Sequence, residues 1–165
     1  MHASLTGKKA QIWGLDLIIA VFIFSIGIVV FLVYSINYSG EAADTFEKIR
    51  YDGEIIMDTL LSDGSPQDWN STNVVKIGLL SEHTINETKL QYFYALSQTQ
   101  YVFTQSLFNT RYQYYFFLSE PMEISGVPVV GIGNATIDNS NNLIRITRFA
   151  IYRDKPVTVY LYLGE

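Results

Sequence analysis

The chain has 165 residues, of which 48% are hydrophobic and 15% aromatic, with a formal charge of −5 and no Cys. This composition is too apolar for a disordered chain, and the absence of Cys removes disulfides, thiolate metal sites and thiol nucleophiles. From Glu41 onward nine Lys and Arg stand against fifteen Asp and Glu, giving −6, which argues against a nucleic-acid partner.

Leu17 to Ile36 carries no charge and is interrupted only by Ser25, Gly27, Tyr34 and Ser35. As a helix it would measure about 30 Å, the thickness of a bilayer's hydrocarbon. Lys8 and Lys9 precede it while Glu41, Asp44 and Glu47 follow, so the positive-inside rule puts the N-terminus in the cytoplasm and everything after Tyr38 outside. A secretory signal has a shorter apolar stretch, about 7 to 15 residues, followed by a small-residue cleavage site, and Ser39 to Ala43 is a poor one. That leaves a cut before the apolar run, or none. Asp16 stands at the head of this run, although a carboxylate at the centre of a spanning helix costs roughly 2.5 to 3.5 kcal/mol.

Lys8, Lys9, Ala10, Gln11, Ile12 and the early acidic Asp16 resemble the class III signal peptide of archaeal type IV pilin-like proteins and, more distantly, of bacterial type IV prepilins. The resemblance implies that a prepilin peptidase removes a basic leader at the cytoplasmic face and that the apolar segment is kept as an assembly helix. A cut after Ala10 makes Asp16 the sixth mature residue; a cut after Gln11 makes it the fifth and Gly14 the third, the spacing usual in pilins and archaellins. The chain departs from the pattern at Ala10, where Gly is common, and at Trp13 and Gly14, where small polar residues are frequent. In the family, the acidic residue answers the free amine of a neighbouring subunit. Two opposite charges at one depth in a low-dielectric setting attract far more than in water, which supports this role for Asp16, and the resemblance makes Asp16 and Gly14 the candidate assembly residues. Alternatively, Asp16 is a headgroup-level charge favoured by the helix dipole.

Beyond the soft spot Asn37 to Gly40, the spacing of Ala42, Phe46, Ile49, Gly53, Ile56 and Leu60 predicts one helical face. The long first helix is expected from Gln11 to about Leu61, with two separate helices as the alternative. Ser62 to Asn73 reads as a turn-rich connector. A second helical region opens at Asn86-Glu87-Thr88, capped by Asn86 or Thr84, and reaches about Asn109. From Tyr112 three or four strands follow, in YQYYFFLSEP, VPVVGIGNATID, NLIRITRFAIYRD and KPVTVYLYLGE, with turns at Asp138 to Asn142 and at Asp154-Lys155-Pro156. Twelve Tyr and ten Phe in the chain suit this β-structure. The alternation of Ile144, Ile146, Phe149 and Ile151 slips near Arg148, where a bulge is expected.

The expected fold is α+β and type IV pilin-like: a long N-terminal transmembrane helix packed on an antiparallel β-meander head with a second helical region. Residues 1–11 form the cytoplasmic leader, 12–38 the membrane helix and 39–165 the extracellular head. The segments GSPQDWN, VVKIGLL, NETKL and RYQYYFFL are similar to small archaeal proteins carrying this leader, a likeness that brings no activity with it.

Candidate chemistry in the head is sparse. His2 falls in the leader and His83 is alone outside, so a His-based triad or zinc site lacks partners. Glu120 and Glu123 are a carboxylate pair of the glycosidase kind that sequence does not bring together. Asp138 to Asn142 starts like a calcium loop but lacks its central Gly and distal Glu, and Gly131-Ile132-Gly133 lacks the Lys and helix of a phosphate loop. No enzyme, cofactor or metal is expected. Sequons occur at Asn37, Asn70, Asn86 and Asn134; Asn37 hugs the membrane, which leaves Asn70, Asn86 and Asn134 as glycosylation candidates.

The resemblance implies the structural subunit of an archaeal type IV pilus-like surface filament, major or minor. Its partners would be the membrane, the prepilin peptidase and copies of itself or related pilins. The alternatives are a monomeric membrane-anchored extracellular binding domain, or an accessory pseudopilin of a secretion or archaellum-like machine.

Overall fold

The computed structural model describes residues 6–137, 140 and 142–165. The chain divides into two compact units, Met1–Asp44 and Thr45–Glu165, and helix α1 (Thr6–Leu60) contributes to both. Helical hydrogen bonding continues through Gly40, so the expected soft spot does not end the helix.

In the second unit, Ile49, Ile56, Met57 and Leu60 of α1 are fully buried. Phe46, expected on the same face, is 50% exposed, since it stands one turn before Ile49, the first fully buried residue of α1 among those described. Gly53 brings this face close to the sheet, because a Cβ there would lie 3.1 Å from Ile146 Cγ1. After the connector come β1 (Leu80–Ser81) and β2 (Thr84–Ile85), then α2 (Glu87–Thr99) and α3 (Tyr101–Leu107). Asn86 is the cap of α2, its Oδ1 accepting a bond from Lys89 N at 3.1 Å. The single helical region expected up to Asn109 is split at Gln100, whose φ of −141° leaves the helical range.

The remaining strands are β3 (Gln113–Leu118), β4 (Met122–Ile124), β5 (Val127–Val129), β6 (Ile132–Gly133), β7 (Leu143–Tyr152) and β8 (Lys155–Gly164). Six form one sheet in the order β1-β2-β7-β8-β3-β6, and β4 with β5 form a separate hairpin. The molecule is therefore mixed α+β with a mainly antiparallel sheet, but the sheet is not a meander. β3 lies against β8 rather than β7, and β2 meets β7 in parallel. The segment from Val127 to Asp138 is not one strand, because β5 turns back on β4 through Ser125 and Gly126, both at positive φ.

No bulge occurs near Arg148. The pairing of β7 with β8 runs unbroken from Leu143↔Gly164 to Tyr152↔Lys155. The slip in the pattern arises because Phe149 and Ile151 lie on the outer face, 81% and 44% exposed, while Arg148 occupies an inward position and reaches Asp58 of α1 at 3.9 Å. The turn into β8 is Arg153-Asp154, both at positive φ, so Lys155 and Pro156 belong to the strand rather than to the turn. Asp138, Asn139 and Asn141 of the other expected turn lie outside the described residues.

The inward face of the sheet supplies Tyr114, Phe116, Ile144, Ile146, Val159, Leu161 and Leu163 to a single core with α1 and α2. Phe93 of α2 sits 6.0 Å from each of Phe108, Tyr114 and Phe116. The Tyr101 hydroxyl accepts a bond from Tyr114 N at 2.9 Å, and the Tyr114 hydroxyl shares a 2.5 Å bond with Thr104 Oγ1. Burial pushes the pKa of Tyr101 and Tyr114 above the ordinary 10.0, Tyr114 far above it, because the folded site favours the neutral phenol. Their contribution to stability is complete below pH 10 and is lost as pH rises above it, where the unfolded phenols ionise first. Thermal unfolding followed from about pH 8 to about pH 11 should show a melting temperature that drops beyond pH 10, with a shallower drop in Tyr114→Phe.

Candidate membrane-spanning helix and head surface

The stretch Gly14–Ile36 within α1 is 23 residues long, and its most apolar 18 residues have a mean hydropathy of 3.0 with none of them buried within the chain. It is long and apolar enough to span a membrane. Apolar side chains point outward all round, from Ile28 at 43% to Ile36 at 72% exposure, a pattern suited to an apolar surrounding rather than to one buried stripe. The Ser25 hydroxyl donates to Val21 O at 2.8 Å, so this polar group is satisfied inside the helix.

Asp16 is exposed, and among the described residues it makes no ion pair or hydrogen bond. Gly14 is open, with nothing within 4 Å of where a Cβ would stand, which leaves room for close approach by another chain. Both belong to the first turn of the apolar stretch. Thr6 begins α1, so the backbone of Lys8, Lys9, Ala10, Gln11 and Ile12 is helical, while their side chains lie outside the described set. Leader residues 1–5 lie outside the described residues altogether.

The sequons differ in their surroundings. Asn70 Oδ1 accepts bonds from Thr72 N at 2.9 Å and Thr72 Oγ1 at 2.7 Å, and Asn134 Oδ1 accepts from Thr136 N at 3.0 Å and Thr136 Oγ1 at 2.7 Å. Each forms a compact Asx turn with its own sequon threonine. The Asn134 amide also donates to Gln113 Oε1. Asn86 is committed differently: its Oδ1 caps α2 and its Nδ2 donates to Ser81 Oγ at 3.3 Å. The Asn37 side chain lies outside the described set.

His83 sits with Glu82 at the exposed tip between β1 and β2, both at positive φ. Among the described residues, no three His, Asp or Glu side chains gather as metal ligands would. Glu123 accepts a bond from Arg153 Nη1 at 2.8 Å, and Arg153 Nε donates to Glu87, so this guanidinium ties the start of α2, β4 and the β7–β8 turn together. Bonds to Glu87 and then Glu123 raise its pKa further. Lys89, only 5% exposed, donates from Nζ to Asp63 O and Leu80 O, each at 2.7 Å, and is likewise structural. Sequence reasoning missed both clasps, because their partners are distant in the chain or are main-chain carbonyls.

Open clefts among the described residues mark the head. One of about 400 Å³ is lined by Lys48, Asp52, Asn109, Arg111 and Tyr112, and one of about 440 Å³ lies between Tyr92 and Tyr94 of α2 and the β4–β5 hairpin. On the outer sheet face Phe117 stacks on Tyr160 at 4.8 Å and meets Tyr162 edge-on at 5.2 Å. Comparison with protein-family models, with curated proteins and with solved structures finds no match.

Proposed function

We propose that the chain is a structural subunit of an archaeal type IV pilus-like surface filament, with its N-terminus in the cytoplasm and its α+β head outside the cell. The observation that carries this reading is the carboxylate of Asp16, without a partner among the described residues, in the first turn of a stretch whose apolar side chains face outward all round. Such a group calls for a cation supplied by another molecule at the same depth. A neighbouring subunit's amine, freed by a prepilin peptidase after Ala10 or Gln11, is such a cation. Once assembled, the apolar span exchanges lipid for like helices, a transfer with little net cost because both surroundings are apolar. The role is structural, and no catalytic residue or cofactor is assigned.

Sequencing the N-terminus of protein taken from cell-surface filaments tests the reading. A start at Gln11 or Ile12 is expected. An intact Met1, or a product beginning near Ala43 and so lacking the span, would overturn it.

Asn70 and Asn134 are the proposed glycosylation sites on the head, both half-buried residues in turns whose local bonds need no rearrangement of a helix. Asn86 is the poorer acceptor, since its oxygen is committed to the α2 cap. Intact mass before and after deglycosylation should show up to two occupied positions, both lost in Asn70→Gln/Asn134→Gln; a single unmodified species removes this part of the proposal.

A further inference from the structure

Asn134 stands at the border of an aromatic surface that the filament reading does not use. Successive residues of a strand face opposite sides, and burial along β3 and β8 alternates accordingly. Tyr115 and Phe117 of β3 and Tyr160 and Tyr162 of β8 lie on the outer side, all half-buried. The register sets Tyr115 beside Tyr162 and Phe117 beside Tyr160, and Arg145 of β7 follows Tyr162 in the same row. Phe117 also lies 5.7 Å from Tyr115, so with its contacts to Tyr160 and Tyr162 the four rings form one patch. Arg145 is the only charged residue at the outward positions of β3, β7 and β8. The attachment nitrogen of the sequon opens onto this patch. Asn134 directly follows β6, and its Nδ2 donates to Oε1 of Gln113, the outward residue two positions before Tyr115. That nitrogen carries two hydrogens, so a sugar joined to it starts beside Gln113 whichever one it replaces. The Tyr115 ring leans toward β6, since a Cβ at Gly131 would collide with it.

We propose that a glycan on Asn134, which presupposes the modification proposed above, folds back over this patch with its sugars laid against Tyr115 and Tyr162. The C–H bonds of a sugar ring carry partial positive charge and the face of an aromatic ring is negative, so the two attract. The sugar hydroxyls find the Gln113 amide, the tyrosine hydroxyls and the Arg145 guanidinium within the same surface. An acidic sugar meets one cation there and no like charge. Attachment decides the occupant. A group tethered by one short link is held at an effective concentration of about millimolar, so contacts too weak to capture a free saccharide are enough to dock it. A second copy of the chain is the poorer fit, because its own patch would bring another Arg145 and no Asp or Glu to answer the first. The docked glycan covers four aromatic rings on a face that would otherwise be open to other chains.

Nitration of tyrosines by tetranitromethane, located by mass spectrometry of peptides, reads this cover directly. In the full-length chain purified in detergent from its native cells, Tyr115 and Tyr162 should react about tenfold more slowly than in Thr136→Ala, the ratio for a glycan docked about nine-tenths of the time. Thr136→Ala keeps Asn134 but breaks the sequon; Thr136→Ser preserves it and should stay protected. Tyr51 of α1, 63% exposed, should react equally in every sample. Wild-type chain from a host that adds no glycan should react like Thr136→Ala, which ties the protection to the sugar and not to the lost methyl and hydroxyl. Asn70→Gln should change nothing at Tyr115 or Tyr162. Equal rates at these two tyrosines, with the peptide mass showing a glycan on Asn134, would overturn the docking and leave the modification standing. A bare Asn134 in protein from native cells would remove both. Protection that survives Thr136→Ala and fades on dilution would mean that a second copy covers the patch, against the proposal.

Discussion

Replacement of Asp16 by Ala is expected to leave the chain inserted in the membrane and to remove it almost entirely from filaments. Losing a carboxylate makes an apolar helix easier to insert, so a defect in insertion is not anticipated. In the proposed filament the expectation differs, because there the carboxylate would have a partner to meet. Two unit charges about 4 Å apart attract by about 4 kcal/mol at an effective dielectric of about 20, enough to set which of several axial registers a smooth apolar helix adopts. The helix dipole is a weaker explanation of the same residue. α1 begins at Thr6, well before Asp16, and the dipole's influence fades within the first turn. Only after cleavage does Asp16 come near a helix start, and then a free amine lies nearby as well. Shearing filaments from cells and comparing sheared and membrane fractions of wild type, Asp16→Ala and Asp16→Glu measures the effect. Asp16→Glu should recover much of the incorporation, since it keeps the charge, and Asp16→Ala should be confined to the membrane. Equal incorporation of Asp16→Ala and wild type would reject the registry role.

The elements legible in the sequence were those that carry their own periodicity or punctuation. The uncharged run to Ile36, the Ile49-Ile56-Leu60 face, the Asn86 cap and the alternation of Ile144 and Ile146 in β7 are all local signals, and each corresponds to a feature of the fold. What escaped depends on backbone conformation or on long-range pairing. The turns Glu82-His83, Ser125-Gly126 and Arg153-Asp154 hold both residues at positive φ, yet only one of the three contains Gly, so their composition does not announce them. The β3–β8 pairing joins strands that are not neighbours in the chain, which no local pattern encodes. Phe149 misled for a related reason. Its apolar side chain suggested a core position and hence a slipped register, whereas the ladder is regular and the residue faces outward. Asp16 and the sequons were visible as residue types, but only the structure distinguishes Asn86, committed to the α2 cap, from Asn70 and Asn134 in their own turns.

Trp69→Ala is expected to cause the largest loss of stability in the head. Trp69 is 1% exposed although it belongs to the turn-rich connector, and its ring packs 6.0 Å from that of Tyr92. Its Nε1 donates to Gly78 O at 2.7 Å. The backbone around it is equally tight, since a Cβ at Gly78 would fall 2.1 Å from Gly64 N and 2.4 Å from Ser62 O. Leu79 N donates to Leu60 O at 2.8 Å and Leu80 N to Ser62 O at 2.9 Å, so this knot joins the end of α1 to the entry of the sheet. Removing the indole opens a cavity, costing about 3 to 5 kcal/mol, and orphans the Gly78 carbonyl. Against the roughly 5 to 15 kcal/mol that holds a domain together, such a loss leaves the head barely folded. Trp69→Phe narrows the comparison, because it keeps a six-membered ring in the site and leaves a much smaller void while losing the same hydrogen bond, for about 1 to 3 kcal/mol. Denaturant unfolding of the full-length chain in detergent, followed by near-ultraviolet circular dichroism of the head aromatics, gives both numbers. A loss in Trp69→Ala no greater than in Trp69→Phe would mean that the connector yields around the cavity and that the knot does not hold α1 to the sheet.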